Sequence, residues 1–408
     1  MPMPLVRRTR SDSDLREITP TAFFHEDFPA LAERNGGMVA EAMSELGAWP
    51  LTVEFEDEIW TIEHAGDTIA AKAGPAENPL RVVLTAKQFS DCMQNHMSLN
   101  GMMVARQLRF ADTELWQVSL WDSLLLTMLD GWPTVAPELS FLDRAGRPLD
   151  LGRTFGPDDS PAEIAHFLRE TGYLHLRGWL DPADMAMISA DMDRASGSYR
   201  EGDGMSWWAT LANGERACVR MQHFDRFSPT TERLLNGETW EKLRATIAAD
   251  DPVIVPPSET RLVEALFKPL GVVSGPSDLS FHRDCHLGRH MYECSHITIG
   301  ISLTSSGREN GLLQVIAGSH RVAMPVEIAK TAPNLPVIEI ETRPGDLTVH
   351  LSCTLHASTP PKIEPRRVLY TPFALAGTDK MHGDELGNLR EQVTELERGE
   401  HEDSHAGQ

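Results

Sequence analysis

The sequence predicts an α+β protein in two parts, a small α/β unit followed by a larger unit built on an antiparallel β-sandwich or barrel. Three observations predict this fold. Apolar residues near the start recur at helical spacing and are followed by strand-like alternation. A stretch near residue 150 is dense in Gly and Pro, and short strands divided by turn residues fill the region from 270 to 376.

The first unit is predicted from residues 28–140. Residues 1–27 before it are polar and rich in Arg, Ser and Asp, so we expect a flexible arm there. From Phe28 to Leu46 the apolar positions have helical spacing, and Gly47 is a stop signal. The stretch LTVEFEDEIWTIEH then alternates apolar and acidic residues, and PLRVVLTAKQFSDCMQNHM reads as a strand followed by a helix.

The second unit is predicted from residues 162–376, after a linker at 141–161 that is rich in Gly, Pro and charge. It opens with an amphipathic helix that Gly172 ends, a short strand, and a second helix with Asp181 as its N-cap. The phrases HITIGISLTSS, GLLQVIAGSH, VIEIETRPGDLTVHLS and RRVLYTPFAL are then typical of short antiparallel strands. Residues 377–408 are predicted to be an acidic, solvated tail.

Composition limits the possible partners. The chain has 408 residues and a net charge of −23, and this charge repels phosphate backbones and anionic membranes. Its five cysteines are scattered without a CxxC pair, and no run approaches the roughly 18 apolar residues of a membrane span. We therefore expect a cytoplasmic protein that acts on a small molecule, without nucleic acid or membrane insertion; the oligomeric state stays open.

The stretch FHRDCH contains a predicted pair of metal ligands. Side chains two apart on a strand point to the same side, so His282 and Asp284 can hold one ion while Arg283 faces away. His356 follows the strand that begins PGDLTVH and is the predicted third ligand. Two histidines and one carboxylate leave positions open on the metal, which is typical of non-haem Fe(II) oxygenases.

An oxygenase of this kind also needs a cation for the far carboxylate of a chelating co-substrate. Arg366 and Arg367 follow His356 by ten and eleven residues, and a guanidinium can bind a carboxylate through two hydrogen bonds. Adjacent strand residues face opposite sides, so only one of the two can point inward, and both remain open. Ser358, two residues after His356, is a candidate second donor.

Residues 163–376 resemble the phytanoyl-CoA dioxygenase family of Fe(II)- and 2-oxoglutarate-dependent oxygenases. The matching phrases are FLRETGYLHLRGWLDPADM, FHRDCH, ENGLLQVIAGSHR, RPGDLTVHLSCTLHAS and EPRRVLY, in the family's order. The resemblance implies a double-stranded β-helix, or jelly-roll, core with flanking helices. It also implies iron on His282, Asp284 and His356, with 2-oxoglutarate on the arginine and O₂ as the oxidant. Hydroxylation with release of succinate and CO₂ is the expected reaction.

Residues 28–137 resemble sterol carrier protein 2-like domains in their order of elements and in phrases such as LTAKQFSDCM. This resemblance implies a lipid-binding unit and, with it, a hydrophobic substrate such as a lipid, a terpenoid or another natural product. Two alternatives remain: a lipid-binding protein with an inert barrel, and a hydrolase that uses the same three ligands for zinc.

Other residues near these motifs have plainer interpretations. Cys285, Cys294 and Cys353 are expected to be small apolar fillers, and Trp207 and Trp208 either line the substrate pocket or pack in the core. Five further histidines are expected to be structural: His286, His290, His296, His320 and His350.

Overall fold

The fold is known from a computed structural model. The structure describes residues 16–55, 58–95, 97–104, 107–110, 115–135, 139–248, 253–254, 261–275, 279–284, 296–326, 328 and 335–375. The predicted acidic tail and the first half of the predicted arm lie outside these residues.

The N-terminal unit is a five-stranded sheet packed against helices. The sheet has the order β3-β2-β1-β4-β5, with β1 and β4 parallel and every other neighbouring pair antiparallel. Its strands are β1 (Leu51–Phe55), β2 (Glu58–Ala65), β3 (Thr68–Ala73), β4 (Leu80–Val83) and β5 (Arg109–Phe110). Its helices are α1 (Pro20–Ala22), α2 (Phe28–Leu46), α3 (Ala86–Cys92), α4 (Leu99–Val104) and α5 (Leu115–Asp130), and a π-helical turn spans Phe23–Asp27.

Helices α2 and α5 form the centre of this unit. Helix α2 ends at Gly47, whose left-handed backbone (φ 68°) is the C-terminal signal that the sequence contains. Helix α5 is buried from Gln117 to Met128, so its polar side chains need internal partners. Trp121 donates to the Trp49 carbonyl at 2.7 Å, and Asp122 accepts from the Asn100 side chain at 2.9 Å.

The prediction of a flexible arm over residues 1–27 is wrong for residues 16–27. Phe23 and Phe24 are buried, and both rings contact Phe89 of α3. Arg16 is also fixed, since its backbone N–H donates to Gln94 at 3.0 Å. The prediction relied on the polar composition of the first residues and gave no weight to three apolar side chains, Ile18, Phe23 and Phe24. Burial of these side chains stabilises the segment.

The C-terminal unit has twelve strands in the residues that the structure describes, and its core is a jelly roll. The strands are β6 (Tyr173–Leu176), β7 (Ser206–Leu211), β8 (Arg216–Gln222), β9 (Val253–Ile254), β10 (Glu264–Lys268), β11 (Val272–Ser274), β12 (His296–Ser302), β13 (Leu313–Ile316), β14 (Val337–Ile340), β15 (Leu347–Leu351), β16 (His356–Ser358) and β17 (Arg366–Leu375). The helices are α6 (Pro161–Thr171), α7 (Pro182–Ala195), α8 (Pro229–Leu235) and α9 (Glu238–Ala248).

These strands form a large and a small sheet. The large sheet has the order β11-β7-β8-β10-β17-β12-β15-β6, with β9 also paired to β17, and the small sheet has the order β14-β13-β16. The predicted antiparallel barrel and its jelly-roll topology are therefore confirmed. Among the helices that the structure describes, none has the length and apolar character needed to cross a bilayer.

The two faces of the large sheet differ in chemistry. On β12, Ile297, Ile299 and Ile301 are fully buried and belong to the core that the helices cover; Trp240 of α9 contacts Phe373 of β17 at 5.2 Å in the same core. The alternate residues, including Thr298 and Ser302, point to the inner face, where the small sheet lies. The inner face therefore carries polar side chains.

The segment 141–161, predicted as a linker, is packed against the jelly roll. Phe155 is fully buried, its N–H donates to the His175 carbonyl at 3.0 Å, and its carbonyl accepts from Arg177 N–H at 2.8 Å. An apolar residue and the strand edge of β6 favour this pairing, so the predicted linker is a packed segment of the fold. The division into two domains itself stays a prediction.

We predict that Asp346→Asn destabilises the jelly roll by about 1–3 kcal/mol, since the buried carboxylate accepts from Gly178 N–H and Arg343 N–H, both at 2.9 Å. Desolvation raises the pKa of Asp346, but the His175 imidazole and these N–H groups outweigh it and lower that pKa. A depressed folded-state pKa contributes stability that is complete above the unfolded value of 3.8 and is lost as pH falls through the folded value.

Urea unfolding across a pH series measures this effect. The difference in unfolding free energy between the wild type and Asp346→Asn should be largest near neutral pH and shrink below about pH 4. Asp67→Asn, at an exposed turn between β2 and β3, is the control and should leave the curve unchanged. A difference that grows on acidification would contradict the prediction.

Candidate metal centre

The segment that contains His282 lies directly beside β16. His282 N–H donates to the His356 carbonyl at 3.0 Å, and His356 N–H donates to the His282 carbonyl at 3.1 Å. This reciprocal pair is the pattern of two directly opposed antiparallel residues. It brings the two imidazole rings to a centroid distance of 4.2 Å, although they are far apart in the sequence.

The three predicted ligands converge. Asp284 Oδ1 lies 3.6 Å from His282 Nε2 and 3.5 Å from His356 Nε2, and the three ligand atoms lie within 4.8 Å of one another. Asp284 keeps 32% of its side-chain surface exposed, so one side of the cluster is open. A cluster with three donors and one open side fits a metal ion that must also bind other molecules.

Backbone carbonyls orient both imidazoles. His282 Nδ1 lies 2.8 Å from the Ser280 carbonyl, and His356 Nδ1 lies 3.0 Å from the Thr354 carbonyl. A carbonyl can only accept, so each Nδ1 carries the hydrogen and each Nε2 presents a lone pair to the cluster. Burial, with His350 and His282 nearby, also holds the pKa of His356 well below its usual range, which keeps this ring neutral for ligation.

The second oxygen of Asp284 is held by other side chains. Thr298 of β12 donates to Oδ2 at 2.8 Å, and His350 Nε2 of β15 lies 3.2 Å from the same oxygen. Desolvation raises the pKa of Asp284, but contacts with the surrounding imidazoles, among them the His350 hydrogen bond to Oδ2, outweigh it and hold that pKa well below its usual range. The carboxylate therefore stays charged, with Oδ1 turned towards the two histidines.

Arg283 holds the ligand segment in place through hydrogen bonds on the side opposite His282 and Asp284. Its guanidinium is buried and donates to the carbonyls of Cys353 at 3.0 Å, Met324 at 2.8 Å, and Ser319 and Val322 at 3.3 Å. The outward orientation that alternation predicts for Arg283 fits these contacts. Alternation alone assigns no role to Arg283.

A cluster of buried cations lies at the other end of the same inner face. Arg366 is 2% exposed, and its Nη1 donates to the Gly311 carbonyl at 2.8 Å and approaches Ser358 Oγ at 3.4 Å. Lys268, at 4% exposure, donates to the same Ser358 Oγ at 2.6 Å and lies opposite Arg366 across β10 and β17. Ser358, two residues after His356, therefore contacts both cations.

Arg367 points the other way. Its guanidinium donates to the Ser189 carbonyl at 2.7 Å, pairs with Asp193 of α7, and lies 5.2 Å from the Phe267 ring. Of the two arginines left open by the sequence, only Arg366 lies on the inner face. Lys268 was not among the predicted site residues. The alternation of EALFK could have indicated which side chains share a face with Lys268. That this face is the one that carries Arg366 follows only from the register between β10 and β17, which the sequence does not contain.

The predictions for the remaining histidines and cysteines agree with the structure only in part. His320 Nε2 lies 2.9 Å from the Arg169 carbonyl, a structural contact, and Cys353 is buried. His350, expected to be structural, contacts Asp284 directly. Five of the named residues lie outside the described part of the chain or have undescribed side chains: His286, His290, His296, Cys285 and Cys294.

Comparisons with known proteins identify similar dioxygenases. The family described as Phytanoyl-CoA dioxygenase (PhyH) matches residues 168–367. A curated relative is the 2-aminoethylphosphonate dioxygenase of Uncultured bacterium HF130_AEPn_1, which is 25% identical over 199 residues that cover 47% of this chain and 72% of that protein.

Two solved structures are similar to this chain over part of its length. AviO1 from Streptomyces viridochromogenes Tue57 is 23% identical with a TM-score of 0.43, covering 55% of this chain and 98% of its own. EctD from S. alaskensis, with 2-oxoglutarate and 5-hydroxyectoine, is 17% identical with a TM-score of 0.44, covering 61% of this chain and 88% of its own.

The matched range contains all three clustered ligands as well as Arg366 and Lys268. The resemblance stated from the sequence motifs is confirmed by the family match. Residues 168–367 are a phytanoyl-CoA dioxygenase family domain, and the chain is a 2-oxoglutarate-dependent dioxygenase that uses iron and O₂.

Proposed function

We propose that His282, Asp284 and His356 hold Fe(II), that Arg366, Lys268 and Ser358 hold 2-oxoglutarate, and that the enzyme hydroxylates a C–H bond of a small molecule. The observation that carries the proposal is the placement of two sites on one inner face. Three metal-ligand atoms lie within 4.8 Å of one another, and two buried cations meet at Ser358, next to β16.

The metal, when bound, supplies the chelation of the 2-oxo acid and the activation of O₂, so that succinate and CO₂ are released with each hydroxylation. The protein supplies geometry and charge. Thr298 and His350 hold Asp284 Oδ2, so that Oδ1 remains for the metal. This arrangement fixes the carboxylate before any substrate binds.

The cation cluster suits the far carboxylate of 2-oxoglutarate. Arg366 and Lys268 are both buried, and a charge-assisted hydrogen bond is stronger where water is excluded. A keto acid chelated beside His356 would extend its second carboxylate along β16 towards Ser358. A zinc hydrolase would not need buried cations to bind a co-substrate carboxylate, so their presence favours the oxygenase.

We also propose that residues 28–140 and 162–376 are separate domains. Each has a hydrophobic core of its own, and they contact each other where Ala323 N–H donates to the Pro133 carbonyl at 2.8 Å. Lipid binding by residues 28–137 remains a prediction from their resemblance to sterol carrier proteins. A hydrophobic substrate rests on the same resemblance, and the charged residues of the inner face favour a polar one.

The name of the curated relative gives a small charged substrate for that protein, 2-aminoethylphosphonate. At 25% identity we do not transfer that compound to this chain. It belongs among the compounds to be tested first.

Replacement of a proposed metal ligand should remove both iron and turnover. We predict that His282→Ala and Asp284→Ala each weaken Fe(II) binding by at least about a hundredfold, because changes to residues behind the ligands already cost about ten- to a hundredfold. Fe(II) affinity is measured anaerobically by competition with a chelator, and turnover by succinate release. His64→Ala, an exposed histidine of β2, is the control. Normal succinate formation by either ligand variant would contradict the assignment.

The two neighbouring arginines allow a matched test of 2-oxoglutarate binding. We predict that Arg366→Met raises the KM for 2-oxoglutarate by roughly ten- to a hundredfold, as expected when a charged hydrogen bond worth about 1.5–3 kcal/mol is lost. Lys268→Met should raise it as well, because Lys268 shares Ser358 with Arg366.

Arg367→Met is the control, since Arg367 contacts α7 and not Ser358. It should leave the KM for 2-oxoglutarate unchanged. If Arg367→Met raised this KM and Arg366→Met did not, the assignment of the inward cation would be wrong.

His350 should act on the metal through Asp284. We predict that His350→Leu weakens Fe(II) binding by roughly ten- to a hundredfold, because Asp284 Oδ2 loses a donor. His350→Gln, whose amide can donate from a similar position, should recover much of this loss. Equal affinities for the two variants would indicate that His350 only fills space, and the measurement is the same chelator competition.

A further inference from the structure

We propose that Tyr370 is a further co-substrate-binding residue, whose phenol hydroxyl donates a hydrogen bond to the 2-oxo acid end of 2-oxoglutarate. This inference rests on the proposed function and adds to it a residue that no sequence motif indicated. The juxtaposition that carries it is a tyrosine ring that lies across Gly300, on the inner face between the cations at Ser358 and the carboxylate of Asp284.

The register of the large sheet places Tyr370 between the two parts of the proposed site. Arg366 begins β17, and Tyr370 is four residues further on, so by alternation both side chains share the inner face. Tyr370 lies opposite Gly300 of β12, and Gly300 is two residues from Thr298, which donates to Asp284. Along their strands, Tyr370 is about 13 Å from Arg366, whereas Gly300 is only about 7 Å from Thr298. The tyrosine therefore lies towards the metal end of the face.

The ring of Tyr370 extends over β12 with its hydroxyl end foremost. A Cβ at Gly300 would lie 2.9 Å from the ring carbon Cε1 and 3.5 Å from Cδ1. Cε1 is bonded to the carbon that carries the hydroxyl, so the hydroxyl end reaches further over Gly300 than the end that is joined to the backbone. A side chain at position 300 would displace the ring, and only glycine permits this approach. The hydroxyl is thereby held over the strand whose Thr298 contacts Asp284.

The hydroxyl of Tyr370 has no protein partner in the part of the chain that the structure describes. The other two tyrosines of that part behave differently, because Tyr173 donates to the Leu151 carbonyl and Tyr199 donates to the Gln222 carbonyl. A buried tyrosine hydroxyl usually finds such a partner, and Tyr370 is partly buried on a polar face. A donor left over on this face suits a ligand that brings an acceptor.

The 2-oxo acid end of 2-oxoglutarate is the acceptor that matches this donor. In the proposed function the far carboxylate already has three donors, Arg366, Lys268 and Ser358, whereas the opposite end has no protein donor. A phenol donates one hydrogen without adding a positive charge. It can therefore hold an anionic oxygen beside the metal without a further cation that competes for Asp284, and its hydrogen bond to an anion is charge-assisted.

The test uses the full chain with Fe(II), without O₂, and 2-oxoglutarate as the probe. Chelation of Fe(II) by a 2-oxo acid gives a visible charge-transfer absorption. Its intensity measures the half-saturating concentration, and its wavelength reports hydrogen bonds to the chelated group. Tyr370→Phe keeps the ring over Gly300 and removes only the hydroxyl. Tyr199→Phe is the matched control, since it removes a hydroxyl that donates to the Gln222 carbonyl.

We expect Tyr370→Phe to raise the half-saturating concentration of 2-oxoglutarate by roughly tenfold, as for the loss of one hydrogen bond to a charged group. The absorption maximum should also move to shorter wavelength, because a donor to the chelated 2-oxo group lowers the energy of the acceptor orbital. Arg366→Met should weaken binding without this move, since it acts on the far carboxylate. Tyr370→Phe should keep the wild-type affinity for Fe(II), measured by chelator competition, and Tyr199→Phe should match the wild type in every readout.

The proposal is overturned if Tyr370→Phe binds 2-oxoglutarate as the wild type does. It is also overturned if binding weakens while the maximum stays in place, since the lost contact would then be at the far carboxylate, or if Tyr199→Phe responds in the same way as Tyr370→Phe. Failure of the proposed function looks different. In that case the wild-type chain would show no charge-transfer absorption with Fe(II) and 2-oxoglutarate.

Discussion

Two backbone hydrogen bonds between His282 and His356 hold the candidate site together. They join a short segment to β16 in the small sheet, and in doing so they place two imidazoles and the Asp284 carboxylate around one point. The bonds involve only main-chain atoms, so the site depends on the register of this pairing. A shift by one residue would turn the ligand side chains to the opposite face.

Arg283 extends this constraint to the N-terminal unit. Its side chain leaves the same short segment on the opposite face and donates to carbonyls between Ser319 and Met324. Ala323 in that loop donates its N–H to the Pro133 carbonyl, and it packs with Leu126 and Trp132. The Arg283 guanidinium therefore connects the metal-ligand segment to the loop 319–324, which contacts the N-terminal unit through Ala323. We infer that the position of this unit contributes to the geometry of the ligands.

Charge is distributed along the inner face in an order that matches the proposed reaction. Asp284 lies among imidazoles at one point, and Arg366 and Lys268 lie beside Ser358. Each group is held by neighbours in the structure before a ligand arrives, which lowers the cost of ordering on binding. The face towards the helices is apolar, so the same strands separate a folding core from a polar site.

The local features of this protein follow from residue patterns alone. The alternation expected of a strand placed His282 with Asp284 and turned Arg283 away, although only an isolated bridge forms at His282. Gly47 and Gly172 marked helix ends, and motif order identified His356 and the family. Only the folded chain shows that Arg366 lies on the inner face and Arg367 does not, that Lys268 and His350 lie beside the candidate ligands and Ser358, and that residues 16–27 are packed. The reason is physical: periodicity states which neighbours share a face, whereas contacts between distant strands depend on register, which main-chain pairing and core packing set together.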